Sequence, residues 1–227
     1  MKFWHTDNII SRTVAGAFRQ SGVEVDHIDN FTPQPSIFYG IHRGCGNAMH
    51  SCKHTGHDYY YLDNGYFDAE YVDRSGKKDL SGTYRIVKNG MHEKYKGPSF
   101  PLVPNTIMEK ALLIPPSPYS AYFHNTTPED FIQTIGYWFP DLEFTVRTKA
   151  SDVDIESDIM KHHVVMAFNS MAVIKAVELG KPVLDTKGVF QHGVARYKIQ
   201  DIHDFYKNKQ FTLNQIAGGE WTKSMST

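Results

Sequence analysis

The chain has 227 residues, 41% hydrophobic and 22% charged, with a formal net charge of −1. This is ordinary globular composition, long enough for one sizeable core or two compact halves, and it excludes a globally basic nucleic-acid binder. Two cysteines make no disulfide framework, no apolar run approaches the roughly 20 residues that cross a bilayer, and Met1-Lys-Phe-Trp-His reads as no secretory leader, so a cytoplasmic protein without a membrane span is expected.

In chain order, 13–20 fits a helix ending near Gly22, and 23–28 alternates like a strand. Phe31-Thr-Pro-Gln-Pro is a loop. Residues 36–41 form an apolar strand that runs into His42-Arg43-Gly44. A short helix near 48–54 and a turn at Gly56 precede a strand over 58–62, which empties into Asp63-Asn-Gly-Tyr66-Phe67. Residues 68–100 read as hairpin and loop, with a strand over 82–87 and Lys88-Asn-Gly90 as its turn. The stretch from Pro98 to Asn105 reads as a joint.

Beyond it, 111–114 is a buried strand ending at Pro115-Pro-Ser117-Pro. Thr127-Pro-Glu opens a helix to about Phe139, with a capping hydroxyl, proline at the first position and acids in the first turn. A strand over 144–149 has a basic exit, 154–160 is a helix and 164–168 a strand. The tail is helical over 202–208 and again near 213–217. The alternation predicts an α/β protein: two Rossmann-like halves with parallel sheets, followed by C-terminal helices. The expected domains are 1–104, 105–200 and a tail over 201–227 able to return to the first.

Residues 165–183 combine a buried strand, a polar turn at Asn169 and Ser170, a helix with Ala172 and Ala176 four apart, and Gly180-Lys-Pro-Val183. From Leu112 to Val183 the pattern resembles the donor-binding half of glycosyltransferases with two facing Rossmann-like domains, the GT-B architecture. The resemblance implies a compact GT-B-like transferase using a nucleotide-sugar donor such as UDP-glucose, with no cofactor. In many such families an acidic residue meets the ribose. Lys175 stands at that position here, with Glu178 one turn further on.

In open α/β sheets ligands bind beyond the carboxyl ends of the strands, and several polar clusters fall at predicted strand exits. Arg147 and Lys149 share one face of a strand and could stabilise a departing diphosphate without a metal; they could equally be a solvated edge. Ser117, Asn169 and Ser170 complete the donor side. Asp63 is the candidate general base, with His42 as rival, against the alternative of a plain Asp-Asn-Gly turn. Arg43 is placed on a phosphate of donor or acceptor.

Phe38-Tyr-Gly-Ile-His-Arg-Gly, Tyr59-Tyr-Tyr-Leu-Asp-Asn-Gly-Tyr-Phe and Gly82-Thr-Tyr-Arg-Ile are similar to bacteriophage proteins regarded as glycosyltransferases, some associated with DNA-base modification. That similarity implies double-stranded DNA bearing a hydroxymethylated pyrimidine such as 5-hydroxymethylcytosine as acceptor, in the host cytoplasm. Tyr39, Tyr66, Phe67 and Tyr84 would stack on a flipped base, with Arg85 and the lysines at 77, 78, 88, 94 and 96 near phosphates. A surface polysaccharide or lipid-linked glycan is the alternative acceptor, and a non-catalytic nucleotide- or sugar-binding module the alternative class. Cys45, His50, Cys52, His54 and His57 match no zinc spacing, and Asp152-Val-Asp154 reads as a helix cap, so no metal is expected.

Overall fold

The computed structural model describes residues 1–67, 82–102, 108–148, 150–190 and 193–225. In chain order the strands are β1 (Lys2–His5), β2 (Glu24–His27), β3 (Ser36–Tyr39), β4 (Tyr59–Asn64), β5 (Thr83–Lys88), β6 (Phe100–Pro101), β7 (Lys110–Ile114), β8 (Glu143–Val146), β9 (Val164–Ala167), β10 (Val183–Asp185), β11 (Ala195–Arg196) and β12 (Gln210–Thr212). The helices are α1 (Ile9–Gln20), α2 (Cys45–His54), α3 (Pro118–Phe123), α4 (Pro128–Trp138), α5 (Ile155–Met160), α6 (Ala172–Glu178), α7 (Ile199–Tyr206) and α8 (Leu213–Ala217). They divide into two units, Met1–Met91 with Tyr206–Thr227, and His92–Phe205.

The first unit holds a six-stranded sheet in the order β12-β5-β4-β3-β1-β2. The four strands β1 to β4 run parallel, β5 pairs antiparallel with β4, and β12 pairs antiparallel with β5. β1 escaped the sequence reading because Phe3 and Trp4 are both buried. A central parallel strand covered on both faces shows no alternation. α1 begins at Ile9, earlier than expected, because the Asn8 side chain accepts from the Ile10 N–H at 2.8 Å and caps it. Its buried stripe, Ile10, Val14 and Phe18, covers the sheet, with Phe18 stacked on Phe3 at 4.8 Å. Trp221 from the C-terminal segment meets the other side of Phe18 edge-on at 5.1 Å, so the tail completes this core.

The second unit has a sheet in the order β6-β11-β10-β9-β7-β8. β8, β7, β9 and β10 are parallel, and β11 and β6 add antiparallel strands at one edge. α4 carries a full capping box between Thr127 and Asp130. Asp154 caps α5 by accepting from the Ser157 N–H at 3.1 Å, which is what the Asp152-Val-Asp154 signature does. α3 was not anticipated; Ser117 caps it and Pro118 occupies its first position. The core beneath α4 consists chiefly of Leu113, Met166, Phe131 and Ile135.

The protein is thus α/β with two mostly parallel six-stranded sheets, consistent with two Rossmann-like halves. Each sheet adds antiparallel pairings beyond its parallel core, and an antiparallel neighbour such as β5 beside β4 needs no helical crossover. Among the described residues no helix is long and apolar enough to cross a membrane.

Candidate functional site

The carboxyl ends of β3 and β4 gather the first unit's polar residues. β4 ends at Asp63 and Asn64, and its antiparallel pairing with β5 sets Asp63 opposite Arg85. Side chains two apart share a sheet face, so Tyr61, Asp63 and Arg85 converge. Tyr61 Oη donates to Asp63 Oδ2 at 2.5 Å, Arg85 Nη2 donates to the same oxygen at 3.1 Å, and the Asn64 N–H donates to Oδ1 at 2.9 Å. Burial, then the Asp63 charge, holds the Tyr61 phenol well above its usual range, so it remains a donor. The Asp63 side chain is 33% exposed and that of Arg85 only 4%. The carboxylate therefore reaches solvent from a buried support.

Arg85 is fully engaged in that support. Nη1 donates to the Asn64 carbonyl and Nε to the Met91 carbonyl at 3.2 Å, and its guanidinium lies 5.7 and 5.6 Å from the rings of Tyr61 and Tyr66. Burial opposes its charge, but Asp63 and the surrounding phenols outweigh that and hold its pKa above the usual value. Its place is beneath Asp63, not on an acceptor phosphate.

Tyr66 and Tyr84, two of the four aromatic residues assigned to base stacking, are committed inward. Tyr84 is fully buried and meets Tyr39 edge-on at 6.3 Å. Tyr66 is buried and stacked on Tyr206 at 3.8 Å. A ring with both faces in protein contact has none for a base. Gln210 Oε1 accepts from the N–H groups of Tyr66 and Phe67 at 2.9 and 3.0 Å, tying this turn to β12. Phe67 is half-buried, and its carbonyl accepts from Thr83 Oγ1 at 2.7 Å. Tyr39, half-buried, donates to Asn64 Oδ1 at 3.3 Å. Lys77 and Lys78 lie outside the described residues.

His42 and Arg43 are exposed on the turn between β3 and α2, with Arg43 at φ 53°. That turn borders a cavity of about 320 Å³ lined by Asp29, Phe31, Arg43, Asn47 and Ser51 among others. Its walls offer one ring, one guanidinium and several hydrogen-bonding groups, a lining suited to a hydroxylated ligand. Cys45 and Cys52 are buried in α2, and burial pushes the Cys45 thiol up to about 12. Among the described residues no three His, Cys, Asp or Glu side chains are grouped to hold a metal.

In the second unit the exits of β7 and β9 meet. Asn169 Nδ2 donates to Ser120 Oγ at 2.6 Å, Ser117 Oγ accepts from the Ser120 N–H at 3.3 Å, and Ser170 Oγ accepts from the Ala172 N–H at 3.2 Å. The structure joins Asn169 to Ser120, a residue that no motif singles out. Lys175 bridges Glu178 at 2.8 Å and Glu156 at 3.0 Å, and these two raise its pKa. Lys175 is thereby a link between α5 and α6.

Arg147, expected at the donor phosphates, is held by its own neighbours. Its guanidinium donates to Asp158, to the Val153 carbonyl at 2.7 Å and to Ser151 Oγ at 3.3 Å, and fastens the connection leading into α5. An arginine already paired with a carboxylate presents little net charge to a diphosphate. Lys149 lies outside the described residues.

A further buried group was missed. Asp185, at the end of β10, is 2% exposed and accepts from the N–H groups of Gly188 at 2.9 Å, Val189, and Phe190 at 3.4 Å. A Cβ on Gly188 would fall 2.2 Å from its Oδ2. Burial pushes its pKa up to about 7, with Lys94 and these N–H groups pulling the other way. The Asp-Thr-Lys-Gly spacing, typical of a side-chain-closed turn, was the available signal.

No protein-family model matches the sequence, and no curated protein does. Solved structures that are distantly similar include two transferase structures. Thermosulfurimonas dismutans KpsC, beta Kdo 2,7 transferase, has a TM-score of 0.48 and 10% identity, covering 100% of each chain. Thermosulfurimonas dismutans KpsC, beta Kdo 2,4 transferase, has a TM-score of 0.40 and 11% identity over 96% of this chain and 89% of that one.

Proposed function

We propose that this chain is a metal-independent glycosyltransferase that moves a sugar from a nucleotide-sugar to a hydroxyl acceptor. Asp63 carries the proposal. It is a carboxylate at the exit of a parallel strand, oriented by Tyr61, Arg85 and its own turn, and open to solvent at its outer edge. Asp63 takes the acceptor hydroxyl's proton as that oxygen bonds to the anomeric carbon and the nucleoside diphosphate leaves with the bonding pair. The first unit takes the acceptor. In the second, Ser117, Ser120, Asn169 and Ser170 at the exits of β7 and β9 take the donor.

For the acceptor, burial of Tyr66, Tyr84 and Arg85 removes three of the groups placed on a flipped hydroxymethylated pyrimidine, whereas the cleft beside Arg43 sets the Phe31 ring beside hydrogen-bonding groups of Asp29, Asn47 and Ser51, a combination that suits a saccharide. A glycan acceptor is therefore favoured over modified DNA. One observation favours a second class, the non-catalytic binding module: Arg147, the described basic residue expected at the donor phosphates, is neutralised by Asp158.

The test is a thermal-shift screen with nucleotide-sugars and nucleoside diphosphates, followed by donor hydrolysis without acceptor. A transferase shows a shift with one donor and slow hydrolysis, and Asp63→Asn keeps the shift while losing transfer. A binding module shows the shift without turnover. Transfer to hydroxymethylated duplex but to no glycan would restore DNA as acceptor.

A further inference from the structure

β8 is the outer strand of the second unit's sheet, and all four of its residues are exposed. Natural edge strands are usually guarded by charge, proline or a bulge. Here Glu143 and Arg147 flank an unguarded Phe144-Thr145-Val146. The N–H groups of Glu143 and Arg147 donate inward, to the carbonyls of Glu109 at 3.2 Å and Leu113 at 2.8 Å. Strand alternation then turns the N–H and C=O of Phe144 and Val146 outward, where no described strand pairs with them.

We infer that β8 pairs antiparallel with β8 of a second copy, about a two-fold axis through Thr145. That register is the one in which outward-facing Phe144 meets outward-facing Val146 of the second copy, twice over, giving four backbone hydrogen bonds. It also sets Glu143 opposite Arg147 of the second copy at both ends, and apolar Phe144 beside apolar Val146. Shifting the axis to Phe144 or Val146 leaves only one cross-strand pair of outward-facing residues within β8. Glu143 has Lys110 at 3.4 Å and Arg147 is held by Asp158, so each copy's contribution joins an existing ion-pair cluster. The short strand predicts a weak, concentration-dependent dimer.

Sedimentation of the full chain should show a monomer–dimer equilibrium. Val146→Pro should abolish it with unchanged circular dichroism, because proline removes only an outward N–H from an edge strand. Thr145→Cys should give a disulfide-linked dimer under mild oxidation, since the axis brings residue 145 against itself about 4.5 Å apart between Cα atoms, within disulfide reach. Glu143→Cys should not, and the native Cys45 and Cys52 are buried. A monomer at the highest soluble concentration, a dimer surviving Val146→Pro, equal crosslinking of both cysteine variants, or binding to anionic vesicles abolished by Val146→Pro would each overturn the inference.

Discussion

Asp63 and Arg85 face each other across the β4–β5 pair, with Arg85 Nη2 donating to Asp63 Oδ2 at 3.1 Å. The arginine is interior and the carboxylate is at the rim, so one partner supports and the other is presented. Asp63→Asn should lower sugar transfer by about 100-fold or more, the usual worth of a positioned base, while donor binding is retained. Initial-rate assays beside a donor titration read the two separately.

Arg85→Ala should destabilise the first unit even though it removes no exposed group. The Asn64 and Met91 carbonyls and the Asp63 carboxylate all lose a donor, which predicts a cost of about 2–4 kcal/mol. Denaturant unfolding measures it. Arg85→Lys should recover only part of the loss, because an ammonium cannot serve this fork of acceptors.

Gly65 leaves no space for a side chain: a Cβ there would lie 2.2 Å from Thr83 Oγ1. Gly65→Ala should cost about 1–3 kcal/mol by overpacking. Adding Thr83→Ala should relieve part of that clash while forfeiting the Thr83 bond to the Phe67 carbonyl. The pair is therefore non-additive in thermal unfolding, and a purely additive result would place the strain elsewhere.

Asp185 gives the second unit a distinct pH response. Burial pushes its folded pKa up to about 7, from an ordinary value of 3.8. Between those values the folded state holds a proton that the unfolded chain has released. Stability contributed by this group is full below about pH 4, falls as pH rises towards 7, and is lost above it. Asp185→Asn should remove that slope from a series of unfolding curves taken across pH 4 to 8, the range where roughly one group titrates differently in the two states.

Arg147 and Asp158 should behave as one element. Arg147→Ala and Asp158→Ala are each expected to destabilise the second unit, and their double mutant to cost less than the sum by about 1–3 kcal/mol. If Arg147→Ala instead removed a donor-induced thermal shift without lowering the melting temperature of the free protein, its role would be at the phosphates.

Much of the architecture is local and was therefore legible. Thr127 and Asp154 announce helix starts through groups a few residues away, and the apolar runs at 111–114 and 164–167 needed only burial to become strands. The position of Asp63 at a strand exit follows from the same local pattern. The sequence alone could not say that Arg85 would lie under Asp63, that Tyr66 would stack on Tyr206, or that Arg147 would turn towards Asp158. Nor could it show that Asp185 would be shut inside its own turn. Each depends on strand register or chain return across many residues. Whether an arginine, a tyrosine or an aspartate is a tool or a strut depends on which neighbours desolvate it, and those neighbours are fixed only when the sheet closes.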